Sequence, residues 1–207
     1  SSSLAQSNKS DLDRLLDIGE TLGIPVWVDT YMMPATRERD LPYNMQVRLE
    51  PEEAAREGIR AMKRELGPEL FPQYVRQSVE RADHPEPAEA KPGHMSCMAG
   101  QCSFTINWQG EMRPCVILTE PAITVFEVGF EAAWKYIVEE THKILLNEKC
   151  STCHMRHLCR TCAASALLET GSYGGVPDYM CRYAGESLII LREEWEKIQH
   201  GQAISDR

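Results

Sequence analysis

The first 96 of this chain's 207 residues contain no cysteine; all eight cysteines fall between Cys97 and Cys181. Other absences exclude whole classes of protein. No stretch approaches the ~20 consecutive apolar residues that span a bilayer, so no membrane partner is expected. The opening SSSLAQSNKSDLDRL puts no basic end before an apolar run, as a signal or transit peptide would. Bases are scarce: 22 Lys and Arg stand against 31 Asp and Glu, for a net charge of −9. With no Lys/Arg-rich segment, nucleic acid is not an expected partner either. Without an export signal the expected compartment is the cytoplasm. There, clustered thiols are metal ligands more often than disulfides.

What is present suits one large or two small globular domains, with 43% hydrophobic residues to build a core. Residues 11–22 place Leu12, Leu15, Leu16 and Leu22 on a helical stripe that Gly23 ends. Val26 to Tyr31 is rich in β-branched and aromatic residues and is stopped by Pro34, so it reads as a strand. Helix, short link and apolar strand make half of a parallel αβ unit. A polar loop over 35–49 leads to a helix from Pro51 to about Leu66, with Glu52 and Arg56 as an i,i+4 pair. Gly67-Pro68 breaks it, and a second helix follows near 72–82. DHPEPAEAKPG, residues 83–93, holds three prolines and reads as a linker.

Beyond the linker, SFTINWQGEMRPC reads as a hairpin turning at Gln109-Gly110. Residues 129–147 read as an amphipathic helix with Phe130, Ala133, Trp134, Ile137, Ile144 and Leu145 on its apolar face. A helix from about Cys159 to Thr170 stops at Gly171, and a last helix spans about 179–199, with Glu193 and Lys197 as a solvated pair. The expected fold class is α+β. Its divisions are 1–82, a linker at 83–93, a cysteine-rich unit at 94–199 and a tail at 200–207.

The cysteines are spaced Cys97-x4-Cys102-x12-Cys115, then Cys150-x2-Cys153-x5-Cys159-x2-Cys162, then Cys181. A CxxC pair puts two sulfurs on one turn, close enough to share a metal or cluster. The five-residue gap between the two CxxC pairs is shorter than the usual zinc arrangements of this type. Compact runs of this kind are typical of iron–sulfur binding, where one cysteine of the run serves another cluster. Eight ligands then fill two four-sulfur sites.

The stretch CMAGQCSFTINWQGEMRPC, the helix with Ala133-Trp134, CSTCHMRHLCRTC and DYMC together resemble the SPASM domain of radical SAM enzymes. The likeness spans residues 94–185. That family's pattern is Cys, nine to fifteen residues, Gly, four residues, Cys; then CxxC-x5-CxxxC; then a last Cys. Cys97, Gly110 and Cys115 satisfy its first part, and Cys150, Cys153 and Cys159 its run, while Cys162 arrives one residue early. The resemblance implies two auxiliary 4Fe–4S clusters with interleaved ligands. Cys97, Cys102, Cys115 and Cys162 would hold the first, and Cys150, Cys153, Cys159 and Cys181 the second. Residues 8–55 look similar to the end of the partial α/β barrel that precedes this domain in radical SAM peptide maturases.

The resemblance further implies a parent oxidoreductase that modifies a peptide or protein and exchanges electrons with an external donor or acceptor. The CxxxCxxC motif that binds the cluster open to S-adenosylmethionine does not occur. The chain is thus expected to be the later half of such an enzyme, catalytically incomplete alone, with S-adenosylmethionine used only by the parent. Sulfatase maturases of the family place Asp after the third cysteine; here Cys115 is followed by Val116, which counts against that reaction. Two other readings stay open: a freestanding electron-transfer or peptide-docking module, and a structural zinc protein. His154 and His157 read as polar neighbours of a complete cysteine set, tuning it through hydrogen bonds. Asp29 and Tyr31 sit at a strand's C-terminal end, where α/β folds place sites. Met95 and Met98 read as packing, and Gly110 as a turn residue.

Overall fold

Leucines at helical spacing, a left-handed glycine stop and short β-branched runs give a mostly helical α+β fold with one small parallel and one small antiparallel sheet. This computed structural model describes residues 1–33, 47–85, 93–95, 97–159 and 161–201. The loop expected at 35–49, the stop at Pro34, the linker and the tail lie largely outside the described residues.

Strand β1 (Ser2–Ser3) pairs in parallel with β2 (Val28–Asp29), in the register Ser2↔Val28 and Ser3↔Asp29. Helix α1 (Leu12–Leu22) makes the crossover, so the αβ half-unit read from sequence is a complete, very short βαβ. Leu12 and Leu16 are buried as expected, but Leu22 is 63% exposed. Gly19 takes the inward place at that turn, because Val26 lies where a Cβ would go.

Helix α2 (Pro51–Asp83) is two helices joined at Gly67, whose φ of 65° and ψ of −176° break the hydrogen-bond ladder where the Gly-Pro pair predicts. The second half starts at once after the break rather than at residue 72. Helix α7 (Asp178–Gln199) packs lengthwise on α2. One core gathers Leu4, Leu12, Leu49 and Ala54 with Tyr179, Met180 and Tyr183. A second joins Phe71 and Val75 of α2 to Leu158, Leu188 and Leu191. Burying a side chain such as Phe71 or Leu191 contributes about 1.5–3 kcal/mol.

These contacts redirect the expected surface pairs. Glu52 is bidentate to Arg182 at 2.8 Å instead of pairing with Arg56, which reaches Glu186 at 3.5 Å. Lys197 pairs with Glu194, which also takes Lys63 of α2.

Strands β3 (Thr105–Ile106), β4 (Glu111–Arg113) and β5 (Ile123–Thr124) form an antiparallel sheet in that order. The hairpin turns at Gly110, φ 82°, as expected. Short α3 (Val125–Val128) leads into α4 (Phe130–Thr141), whose Ala133 and Ile137 pack on Met112 with Trp134 alongside.

Helix α4 ends six residues before the predicted Asn147. Leu146 N donates to Gly93 O at 2.6 Å and Leu145 bridges His94, which requires extended backbone there. Ile144 therefore enters a different core, while Leu145 and Phe130 are 53% and 48% exposed. Helices α5 (Glu148–Ser151) and α6 (Ala163–Thr170) flank the cysteine run. No described helix is long and apolar enough to cross a membrane.

Candidate metal centre

The run from Cys150 to Cys159 is folded by its own backbone. Asn147 caps α5, accepting from Lys149 N at 3.1 Å, which fixes Cys150. Arg156 N donates to Cys153 O at 3.0 Å and Cys159 N to Met155 O at 3.1 Å, winding the run into tight turns. Cys159 packs against both cores, and Cys181 sits on the first turn of α7.

These elements bring Cys150, Cys153, Cys159 and Cys181 to the wall of one cavity of about 150 Å³. Leu146, Met155 and Ala184 supply apolar wall, and Arg156 and Thr161 the polar part. Burial pushes the Cys150 thiol up first, with Cys159 and Cys153 adding and Arg156 opposing. Burial likewise raises Cys181, followed by Cys159, Cys150 and Cys153. Neighbouring thiolates repel one another, and a positively charged occupant relieves that repulsion. The donor set thus fits a thiolate-bound metal group. The sulfurs stand around a volume: among the described residues, no three His, Cys, Asp or Glu side chains close on a single ion.

The other four cysteines are arranged differently. Cys115 and Cys162 are half-buried on one apolar cluster with Met95, Ala99, Leu118, Ile144, Ala163 and Ala164. Cys97 and Cys102 are exposed, on the turn that contributes Ala99 to that cluster. This turn is closed by Cys102 N donating to Met98 O at 3.1 Å. Gly100, φ 65°, is required in it, since a Cβ there would lie 2.3 Å from Thr141 Oγ1. The structure thus sets Cys115 and Cys162 against one cluster and leaves Cys97 and Cys102, like Cys181 of the cavity, exposed. None of the eight is in a disulfide.

Hydrogen bonds to sulfur come from residues that the histidine expectation passes over. Thr161 N–H donates to Cys159 Sγ at 3.4 Å, with the Thr161 hydroxyl at 3.0 Å. Leu118 N–H donates to Cys115 Sγ at 3.3 Å. Ser165 N–H donates to Cys162 Sγ at 3.5 Å, so Cys162 is the N-cap of α6, and the helix starts at Ala163 rather than Cys159. Neither His154 nor His157 lines the cysteine cavity. His157 turns to α2, where Nε2 lies 2.8 Å from Ser78 O; burial holds its pKa below the usual imidazole value. Met95 packs as expected, whereas Met98 is 57% exposed.

Asp29 accepts from Tyr31 N at 3.1 Å, and Tyr31 itself is buried. Its hydroxyl lies 3.4 Å from Glu169 Oε1, which also pairs with Arg48 at 3.1 Å. The Arg48 guanidinium stacks 3.8 Å over the Tyr179 ring, and Tyr179 donates to Leu49 O at 2.8 Å. Burial, then Glu169, push the Tyr31 phenol well above its ordinary range; Arg48 opposes and Cys162 adds. Sequence reading misses this buried network, because Arg48 and Glu169 are 121 residues apart.

No family model, curated protein or solved structure matches this chain.

Proposed function

We propose that this chain is the auxiliary-cluster portion of a radical SAM/SPASM oxidoreductase that modifies a peptide or protein. In this reading residues 1–82 are the end of a partial α/β barrel and 94–199 the SPASM domain. One observation carries it: Cys150, Cys153, Cys159 and Cys181 share a cavity, the same four that the family pattern groups as one ligand set. Cys181, nineteen positions after Cys162, reaches that wall only through the docking of α7.

A bound 4Fe–4S cluster supplies one-electron transfer at a potential set by hydrogen bonds to sulfur, charge and exposure. The chain's own residues set those terms. The four thiolates hold the group, Thr161 donates to Cys159, and Arg156 offsets the accumulated negative charge. Leu146, Met155 and Ala184 give the wall its apolar part. Cys115 and Cys162, each with a backbone N–H on sulfur, serve the first set together with Cys97 and Cys102.

Anaerobic reconstitution with iron and sulfide is expected to give brown protein with about eight irons per chain, four for each cluster. Cys150→Ala and Cys162→Ala are expected to remove different clusters, read by electron paramagnetic resonance. A colourless product carrying only zinc would sink the proposal.

A further inference from the structure

The strand that opens the hairpin is inside out. Over residues 104–108, from the approach to β3 into the turn that holds Trp108, exposure alternates and the apolar side chains face water. Phe104, Ile106 and Trp108 are 41%, 42% and 90% exposed, while Thr105 and Asn107 between them are half-buried. A slip of one residue would turn the apolar set inward. Asn107 prevents it: its Oδ1 accepts from the amides of Gln109 and Glu111, both at 3.0 Å, and so locks the turn.

Phe126, 85% exposed, covers Gly110 at the tip of the same hairpin. Phe104 meets Phe130 edge-on at 5.4 Å and Trp134 at 5.5 Å. An apolar surface left open in this way marks an interaction site. Strand β3 is moreover the edge of its sheet, so its outer backbone groups face no other strand of that sheet.

Charge specifies the partner. From Cys97 to Lys135 the sequence holds four acids and two bases. Arg113 lies 2.6 Å from Glu111 and Lys135 3.9 Å from Glu139, whereas Glu127 and Glu131 are exposed beside Phe126 and Phe130. We infer that this face binds an extended peptide segment that pairs along β3. The segment carries apolar side chains at alternate positions, with Lys or Arg between them. The inference deepens the functional reading by giving the chemistry of the substrate, and rests on that reading for calling the peptide a substrate.

The test is calorimetric titration of the full chain with three synthetic peptides of equal length. One alternates Val or Phe with Lys, one replaces Lys by Glu, and one keeps Lys but replaces the apolar residues by Ser. The first is expected to bind at least about tenfold more tightly than either of the others. Trp108→Ala is expected to weaken it about tenfold or more. Glu127→Gln with Glu131→Gln is expected to weaken it about fivefold at low salt. All three side chains are exposed, so the variants are expected to keep the circular dichroism of the parent.

Equal binding of the Lys and Glu peptides overturns the inference, as does unchanged binding by Trp108→Ala. Burial of Trp108 in a dimer of this chain, seen by sedimentation and by quencher access, also overturns it. Iron and sulfide are assayed on the same preparations. A chain that loads both clusters but ignores the peptide overturns this inference and leaves the cluster reading standing. A chain that binds the peptide but no iron supports this inference and overturns the cluster reading.

Discussion

Arg156 brings a positive charge to the wall of the cysteine cavity, where its Nη1 also donates to Cys150 O at 3.1 Å. Arg156→Gln is expected to move the reduction potential of the signal lost in Cys150→Ala downward, because a more negative surrounding disfavours added charge. Redox titration followed by paramagnetic resonance checks the direction. Glu194 offers a test of electrostatics remote from the cysteines. Burial raises its carboxyl, but hydrogen bonds from Lys197 and Lys63 outweigh this and hold it below the ordinary value. A carboxyl depressed on folding adds stability that is present above the unfolded pKa, about 4.3. That stability is lost as pH falls through the folded pKa. Urea unfolding between about pH 5 and 3 is therefore expected to weaken less steeply in Glu194→Gln than in the parent. At neutral pH the variant is expected to be less stable by about 1.5–3 kcal/mol. At this scale the proximity of Cys150, Cys153 and Cys159 could be read from spacing, and the side chains around them could not. Spacing alone groups sulfurs on turns, whereas Glu52 finds Arg182 and Arg48 finds Glu169 only through the packing of distant helices.

Among the elements, those with strong punctuation were readable. Gly23, Gly171 and the Gly67-Pro68 break end helices where the sequence says they should. Elements made by tertiary pairing were not. Ser2 and Ser3 carry no strand signal and become β1 only because Ser2 N donates to Trp27 O at 2.8 Å and Leu4 N to Asp29 O at 2.8 Å. The apolar periodicity of 129–147 likewise runs on past Thr141, but pairing with Gly93 and His94 overrides it. The turn between Cys97 and Cys102 combines both lessons, since Gly100 is needed for its positive φ and for the space above Thr141. Gly100→Ala is expected to destabilise the turn by at least about 1–2 kcal/mol. The expected readout is loss of the signal assigned to the first cysteine set, with that of the second retained.

For the molecule as a whole, the pairing of α2 with α7 ties the residues before the expected linker to the last helix. Leu191, fully buried between them, is the place to test that union. Leu191→Ala is expected to cost about 2–5 kcal/mol. Far-ultraviolet dichroism and Trp fluorescence are expected to report one shared, earlier transition rather than a selective loss.

The position of Cys181 gives this packing a further meaning. Cys153 and Cys159 of its cavity belong to a loop, Cys150 to short α5 and Cys181 to α7, so whatever the four sulfurs grip is a latch between the cysteine run and the last helix. Occupancy stabilises the closed chain by mass action, and the gain is felt where the latch is fastened. Amide hydrogen exchange is expected to slow at the start of α7 when iron and sulfide are bound, and to be unchanged by loading in Cys181→Ala. Loss of the cluster to air would then be a mechanical event as well as a chemical one, freeing the end of a helix on which half the core depends.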